Sequence, residues 1–225
     1  MDVTNGFAGG LGTDSIVLVA VLGALPFLLI ATTSFVKMAV VFALVRQALG
    51  VQSVPPNIII YSLAIVLTAY VMLPVGIDTA ELIQESVDSG EQLADALLGA
   101  VGPLVEFISK QTVLQYEQFF TDAAQRLWGE ARATELQLEA QNEPLIALVF
   151  KLPAFMLSEL SRAFQIGFLI YLPFLIIDMI VANILLALGM VTMSPITISL
   201  PVKLLLFIGV NGWERLMQSL VLSYA

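Results

Sequence analysis

The sequence contains no cysteine and no histidine among its 225 residues. The missing cysteines exclude disulfide frameworks and thiol nucleophiles, and the lack of both residue types excludes zinc sites built from cysteine and histidine. Proton transfer by imidazole, the commonest form of general acid-base catalysis, is excluded as well. An enzyme would therefore lack most of its usual catalytic groups, so we expect a protein that is not an enzyme and that needs no cofactor.

Charged residues are also scarce, because they make up 12% of the chain while apolar residues make up 59%. Globular proteins carry about a quarter charged residues. Two long stretches, residues 15–36 and residues 47–77, have no charge at all. Each exceeds the roughly 20 apolar residues that cross the hydrocarbon core of a bilayer. The composition therefore indicates a membrane protein.

The few charges are distributed unevenly along the chain. Residues 76–143 hold 13 acidic and 3 basic residues, whereas the rest of the chain holds 5 acidic and 6 basic residues. Apolar residues in this acidic region recur at helical spacing, as Phe119, Ala123 and Leu127 do, which predicts amphipathic helices. We expect three parts: an N-terminal hydrophobic hairpin over residues 1–76, an acidic helical insert over residues 77–143 and a C-terminal hydrophobic hairpin over residues 144–225.

The first hairpin has a tip marked by basic residues and prolines. Pro55 and Pro56 end one helix and begin the next, and Lys37 and Arg46 precede them. The excess of basic residues in cytoplasmic loops assigns these four residues to a tip on the cytoplasmic side and sends the acidic insert to the other side. The four apolar segments are predicted over residues 15–45, 57–75, 163–188 and 202–225.

The stretch of residues 144–162 carries three charges, Lys151, Glu159 and Arg162. A free-standing membrane span would rarely carry so many. We expect this stretch to pack on protein near the interface as a helix separate from the third span, with Glu159 and Arg162 paired at i,i+3 spacing. The predicted fold class is an all-α membrane protein of two helical hairpins with a helical extracytoplasmic insert.

Asp178 lies deep in the third apolar segment, where burial of an unpaired carboxylate has a high free-energy cost. If the third and fourth segments form an antiparallel pair centred on Pro195, Arg215 lies within reach of Asp178. Lys203 belongs to the same predicted group of buried charges. A proton-coupling role for Asp178 would indicate a small secondary transporter, and a structural ion pair would indicate an assembly contact. The residues favour the structural pair and leave the transporter as the alternative.

The turn between the third and fourth segments, "LGMVTMSPITISLP", contains no charge. Its apolar side chains begin with Leu188, Met190, Val191 and Met193. Methionine in an apolar turn most often fills gaps in a core. The residues alone therefore favour a packing role for this turn over a functional one.

Two stretches resemble one protein family. They read "ATTSFVKMAVVFALVRQALGVQSVPPN" and "AFQIGFLIYLPFLIIDMIVANILLALGMVTMSPITISLPVKLLLFIGVNGW". Both are similar to the FliP/YscR (SctR) proteins of type III secretion export apparatuses, in the same order and separated by a hydrophilic insert. The motif "SFVKMAVVF" favours the virulence injectisome branch over the flagellar branch, and so does the start "MDVTNGFAGGLGTDS", which has no positive n-region and is not expected to be a cleavable signal.

The resemblance implies a core subunit of the export gate in the bacterial inner membrane, multi-pass and at the base of the secretion apparatus, or raised toward the periplasm. In this picture about five copies wind helically around a channel for unfolded substrates, as head-to-tail contacts allow. The implied partners are the two other small export-gate membrane proteins, of S and T type, the large export-gate protein and the switch protein. No nucleic acid is expected.

The family places a methionine-rich loop at the channel constriction as a gasket. The matching residues are Met190 and Met193, with Leu188 and Val191 sharing the seal. Many relatives carry consecutive methionines there, whereas Val191 and Thr192 separate the two in this chain. The resemblance therefore predicts a channel subunit, and the alternative is a small proton-coupled transporter that uses Asp178.

Overall fold

The structure is a computed structural model that describes residues 23, 26–51, 55–90, 96, 99–190 and 192–225. Every regular element in these residues is a helix, which confirms the predicted all-α class. The helices are α1 (Pro26–Thr32), α2 (Phe35–Leu49), α3 (Asn57–Asp88), α4 (Gly102–Gln111), α5 (Leu114–Trp128), α6 (Glu130–Glu139), α7 (Pro144–Ala187), α8 (Pro195–Gly209) and α9 (Gly212–Leu222).

Two of these helices, α3 with 32 residues and α7 with 44, are long and apolar enough to cross a membrane. Two bent pairs add to them, α1 with α2 at 79° and α8 with α9 at 60°, so that the described residues provide up to four spans. The upper count equals the four predicted apolar segments. The apolar helices indicate a membrane-embedded protein.

A break after α1 interrupts the first predicted segment, residues 15–45, of which residues 15–22, 24 and 25 lie outside the described residues. The hydroxyl of Thr32 donates to the carbonyl of Leu28 at 2.8 Å, and that of Thr33 donates to the carbonyl of Leu29 at 2.7 Å. Such bonds from threonine to the preceding turn often bend helices. They favour a break at this position, which hydropathy does not detect.

A second break divides the predicted fourth segment, residues 202–225, into α8 and α9. Asn211 adopts a left-handed conformation with φ 53°, which ends α8. A Cβ on Gly212 would lie 2.3 Å from ring carbons of Phe207. The close approach of these two residues requires a glycine, and it lets α9 turn away from the axis of α8.

The prediction of a separate helix over residues 144–162 was wrong, because α7 continues through Pro153 and Pro173 to Ala187. At 1.5 Å per residue α7 is about 66 Å long, roughly twice the thickness of a hydrocarbon core. Proline inside a helix is tolerated where neighbouring groups satisfy the freed carbonyls. The insert helices α4, α5 and α6 pack on the N-terminal part of α7, in line with the expectation that this part lies against protein.

The helix α3 also continues beyond its predicted end at residue 75 and reaches Asp88 through Pro74 and Gly76. The predicted boundary between hairpin and insert, at residues 76 and 77, therefore lies within a helix. The acidic region therefore begins on α3, the helix that also carries the apolar segment. The insert helix α4 packs against α3.

The main core surrounds α2, which packs against α3, α7 and α8. Its fully buried side chains include Met38, Val41, Phe42 and Val45. A smaller core joins the insert to α7 and contains Ala124, Ala133 and Phe150. The two cores hold the hairpins and the insert together along α7.

Candidate functional site

The loop of residues 188–194 joins α7 to α8 and contains the predicted methionines. Gly189 has φ 73°, in the left-handed region that favours glycine. The N–H of Gly189 donates to the carbonyl of Leu186 at 3.0 Å, and the N–H of Met190 donates to the carbonyl of Leu185 at 2.9 Å. These two bonds form a Schellman motif, which fixes the direction in which the chain leaves α7.

The apolar side chains of this loop are exposed. Leu188 is 67% exposed, Met190 39% and Met193 42%. The N–H of Met193 donates to the carbonyl of Met190 at 3.3 Å, which closes the turn. Val191, the fourth predicted gasket residue, lies outside the described residues. The described residues of the loop therefore leave α7 in a direction set by backbone hydrogen bonds and present flexible apolar side chains outside the core of this chain.

An ion pair supports the loop from the two helices that flank it. The ammonium of Lys203 on α8 lies 2.7 Å from the Asp178 carboxylate on α7, and the hydroxyl of Ser199 donates to the other carboxylate oxygen at 2.5 Å. Lys203 also donates to the carbonyl of Ala48, near the end of α2, at 3.1 Å. One buried lysine thus ties three helices together. Since Lys203 follows Pro195 by eight residues, this tie lies about 12 Å from the start of α8.

The prediction that Arg215 pairs with Asp178 was wrong, because Lys203 occupies that position. α7 ends at Ala187 and α8 begins at Pro195, so the midpoint of the connection is residue 191, four residues before the predicted midpoint at Pro195, which moves the residue that faces Asp178 by eight positions. Asp178 lies 191 − 178 = 13 residues before the midpoint and faces residue 191 + 13 = 204, next to Lys203. The break at Asn211 moves Arg215 further from this pair.

The tip of the first hairpin is closed by Arg46. Its guanidinium donates to the carbonyl of Pro55 at 3.4 Å and to the side-chain oxygen of Asn57. Pro56 then precedes the first residue of α3. Because Lys203 contacts Ala48, the tip and the loop of residues 188–194 lie at the same end of the helical frame.

Lys37, which the sequence assigned to this tip, lies at the other end of α2 and is fully buried. The distance along α2 from Lys37 to Leu49 is about 18 Å at 1.5 Å per residue. The prediction that Lys37 lies at the hairpin tip was based on its proximity to Arg46 in sequence and was wrong. The basic character of the tip rests on Arg46, with Lys203 nearby.

The ammonium of Lys37 pairs with the carboxylate of Glu159 at 3.3 Å, and neither side chain has exposed surface. The hydroxyl of Tyr224 donates to the second oxygen of Glu159, and the Lys37 ammonium lies 3.5 Å from the centre of the Tyr224 ring. The phenol is the donor in this contact, because an ionised carboxylate has no proton to donate.

Arg162 joins this buried group to the insert. It lies 3.6 Å from Glu159, as the i,i+3 spacing predicts, and it donates to the backbone carbonyl of Gln111 at 2.9 Å. The Tyr224 ring also stacks on Phe107 of α4 at a centroid distance of 5.9 Å. The first hairpin, α7 and the insert therefore meet at one ionic group.

Sequence reasoning missed four members of these groups: Ser199, Tyr224 and the backbone carbonyls of Ala48 and Gln111. The spacing of Ser199 and Lys203 is i,i+4, which places them on one helix face and could have identified Ser199. Nothing in the sequence indicates the contacts of Tyr224 or the role of a backbone carbonyl. Within the described residues no group of three or more acidic residues is placed to hold a metal ion.

Comparison with known proteins identifies the family. Residues 18–220 match the FliP family. The chain belongs to the FliP family. The match includes the insert, the loop of residues 188–194 and the charged residues of both ionic groups, whereas Tyr224 follows its last residue.

Curated relatives of this FliP-family chain are similar over nearly their whole length. The Yop proteins translocation protein R of Yersinia pestis is 46% identical over 215 residues, which cover 93% of this chain and 94% of the relative. The hypersensitivity response secretion protein HrcR of Ralstonia nicotianae is 40% identical, with 93% and 95% covered. The virulence protein YscR of Salmonella typhimurium is 39% identical, with 91% and 93% covered. The predicted resemblance to FliP/YscR proteins of the injectisome type is confirmed.

Proposed function

We propose that this protein is a core subunit of the type III secretion export gate and that its copies form the channel for unfolded substrates across the bacterial inner membrane. Membership of the FliP family supports a role in the export apparatus. Similarity to a translocation protein, a secretion protein and a virulence protein over at least 91% of this chain supports the same role. The apolar helices agree with a position in the membrane.

The observation that carries the channel role is the loop of residues 188–194. It presents Leu188, Met190 and Met193 outside the core, although it lies at the same end of the frame as the basic hairpin tip. Its backbone is held by the Schellman motif and its flanking helices by Lys203. When copies surround a common axis, their loops converge. Thioether side chains then exclude water and ions, and they move aside when a polypeptide enters.

The proposed assembly contains about five copies in a helical arrangement, which head-to-tail interfaces can generate. The S-type and T-type small membrane proteins complete it, and the large export-gate protein and the switch protein join at its base. Copies contact one another through apolar helix surfaces, so the assembly is either embedded in the inner membrane or raised toward the periplasm. Large apolar side chains are exposed on α3 and α7, such as Tyr70 and Phe168. They are compatible with contact with another copy or with lipid.

No observation favours the alternative of a proton-coupled transporter. Asp178 is occupied by an ion pair with Lys203 and by a hydrogen bond from Ser199. A carboxylate held by two partners fits a structural role, and the proposed function accordingly assigns Asp178 to the support of the loop.

Ion leak through the assembled complex tests the gasket. Replacement of Met190 and Met193 by alanine removes the flexible side chains, so we expect higher leak of ions in reconstituted vesicles. The matched control is Met179→Ala, because Met179 is exposed on α7 outside the loop. Equal leak in the loop variant and the control would contradict the gasket.

Crosslinking tests whether substrate passes the loop. The chain has no cysteine, so Met190→Cys introduces the single thiol of each copy. We expect it to crosslink a stalled, partly exported substrate, whereas Leu205→Cys on the exposed face of α8 does not. Crosslinking at Leu205 without crosslinking at Met190 would instead indicate a scaffold whose loop lines no path.

A further inference from the structure

An open groove lies where α9 bends away from α8 and both face α7. Its volume is about 570 Å³, within the roughly 300–1,000 Å³ typical of small-molecule sites. The side chains that define it are mostly apolar and include Leu169 and Phe174 from α7, Phe207 from α8, and Leu216, Arg215 and Ser219 from α9. The groove thus combines an apolar wall with one cation.

Arg215 differs from the other basic residues of the two hairpins. Each of the others has a polar or acidic partner in the structure: Lys37, Arg46, Lys151, Arg162 and Lys203. Among the residues that the structure describes, the guanidinium of Arg215 has neither a hydrogen bond nor an ion pair. The neighbouring Glu214 accepts a hydrogen bond from Gln218 at 3.2 Å, along its own face of α9. Arg215 is therefore an available cation on the wall of an apolar groove.

We propose that this groove binds an anionic phospholipid of the membrane, with an acyl chain against α7 and α8 and the headgroup phosphate on Arg215. A molecule with an apolar chain and one anionic group is complementary to the lining. Arg215 and Ser219 are one turn apart and share a face of α9, so both can donate to phosphate oxygens. The planar fork of an arginine side chain suits two phosphate oxygens at once.

A lipid fits this groove better than a carboxylate from a second copy. Glu159 and Asp178, the acids of α7, are already paired with Lys37 and Lys203, and the acids of α3 lie in its C-terminal part, beyond its apolar segment. Glu214 is engaged with Gln218. Phospholipid phosphates, in contrast, are present wherever these helices meet a bilayer, and a charged group on a membrane helix is stabilised by such contact.

Trp213 provides a direct probe of the acyl chain. Its ring lies 5.3 Å from the ring of Phe207, which lines the groove. The chain has two tryptophans, so Trp128→Phe leaves Trp213 as the single emitter. We would titrate this full-length protein in detergent micelles with phosphatidylglycerol or phosphatidylcholine that carries brominated acyl chains and measure quenching of Trp213. One arginine contact near the membrane surface predicts about fivefold tighter binding of the anionic lipid.

Matched variants separate the site from general contact with lipid. Arg215→Gln should abolish the preference for phosphatidylglycerol, whereas Arg126→Gln, the same charge change on the exposed surface of the insert, should keep it. Arg215→Lys should retain most of the preference, since the charge remains. Leu169→Phe fills the groove and should weaken quenching by both lipids, whereas Ile176→Phe on the same helix should not.

Two results would overturn the proposal. One is equal half-saturation for the two lipids. The other is a preference that Arg215→Gln leaves intact. If Leu169→Cys also crosslinks efficiently between copies in membranes while no lipid preference exists, the groove is an interface between copies and the lipid site is rejected.

Discussion

The ammonium of Lys37 lies 3.3 Å from the carboxylate of Glu159 in a site without solvent access, and this contact joins the first hairpin to the long helix α7. Arg162 and Tyr224 surround the same carboxylate. Removal of either charge would leave the other buried with a weaker counter-charge, which costs more than loss of a surface pair. Lys37 and Glu159 therefore depend on each other for the packing of α2 on α7.

Glu159→Gln should destabilise the protein by about 3–5 kcal/mol, because Lys37 remains buried without its carboxylate. The free energy or midpoint of unfolding in detergent, followed by loss of helical signal, measures the effect. The matched control is Glu135→Gln, which breaks the exposed pair of Arg132 and Glu135 at 2.7 Å. Exposed ion pairs contribute little to stability because solvent screens them, so the control should unfold nearly as the parent does.

A double variant, Lys37→Met with Glu159→Gln, tests the mutual dependence. Removal of both charges should recover a large part of the stability that Glu159→Gln loses, since no buried ammonium is left without a partner. Additive losses in the double variant would show that the two side chains act independently.

The second ion pair yields a different prediction, because Lys203 also donates to the carbonyl of Ala48. In the exchanged variant, Asp178→Lys with Lys203→Asp, opposite charges still face each other. An ionised aspartate has no proton to donate, so the bond to Ala48 is lost. We expect the exchanged protein to assemble but to secrete poorly, since α2 is no longer tied to α8 beneath the loop.

Two comparisons complete the test of this tie. Asp178→Asn keeps the bond from Lys203 to Ala48 and should impair secretion less than the exchange does. Secretion by the exchanged protein at the level of the parent would show that the ion pair alone positions α8.

The sequence predicts the features that depend on hydrophobicity and charge distribution. The absence of charge in residues 47–77 predicts the apolar part of α3, and the i,i+3 spacing of Glu159 and Arg162 predicts their contact. The resemblance of the methionine-containing turn to the FliP family is also recognisable from the sequence. These features follow from short-range patterns that a linear sequence preserves.

The sequence does not predict the pairing of charges that are distant in the chain. The partner of Asp178 depends on where α7 ends, and that end is set by the Schellman motif at Gly189. The sequence assigns Lys37 to a basic tip because it does not show the burial of Lys37 against Glu159 and Tyr224, which depends on tertiary packing. The bends at Thr33 and Asn211 arise from hydrogen bonds and dihedral angles, to which hydropathy is insensitive.

Gly189→Ala tests whether the shape of the loop matters for sealing. A side chain at φ 73° costs about 1–2 kcal/mol, so the Schellman turn should open and displace Met190. We expect raised ion leak from the reconstituted assembly with little change in global stability. Gly209→Ala is the matched control, because a Cβ there meets nothing within 4 Å. Unchanged leak in Gly189→Ala would show that the methionines seal without a fixed backbone.

α2 and α7 approach each other closely at Gly167, where an added Cβ would lie 2.2 Å from the Cδ1 atom of Leu44 and 3.0 Å from its Cβ atom. Gly167→Ala should therefore destabilise the protein by about 1–3 kcal/mol, as overpacking of a core does, although alanine is the better helix former. Gly76→Ala on α3, where a Cβ meets nothing within 4 Å, should be neutral or stabilising. Unfolding in detergent measures both variants.

Leu44→Ala removes the obstructing atoms, so the combination with Gly167→Ala should lose less stability than the sum of the two single changes. A strictly additive loss would mean that α2 and α7 do not meet at these residues.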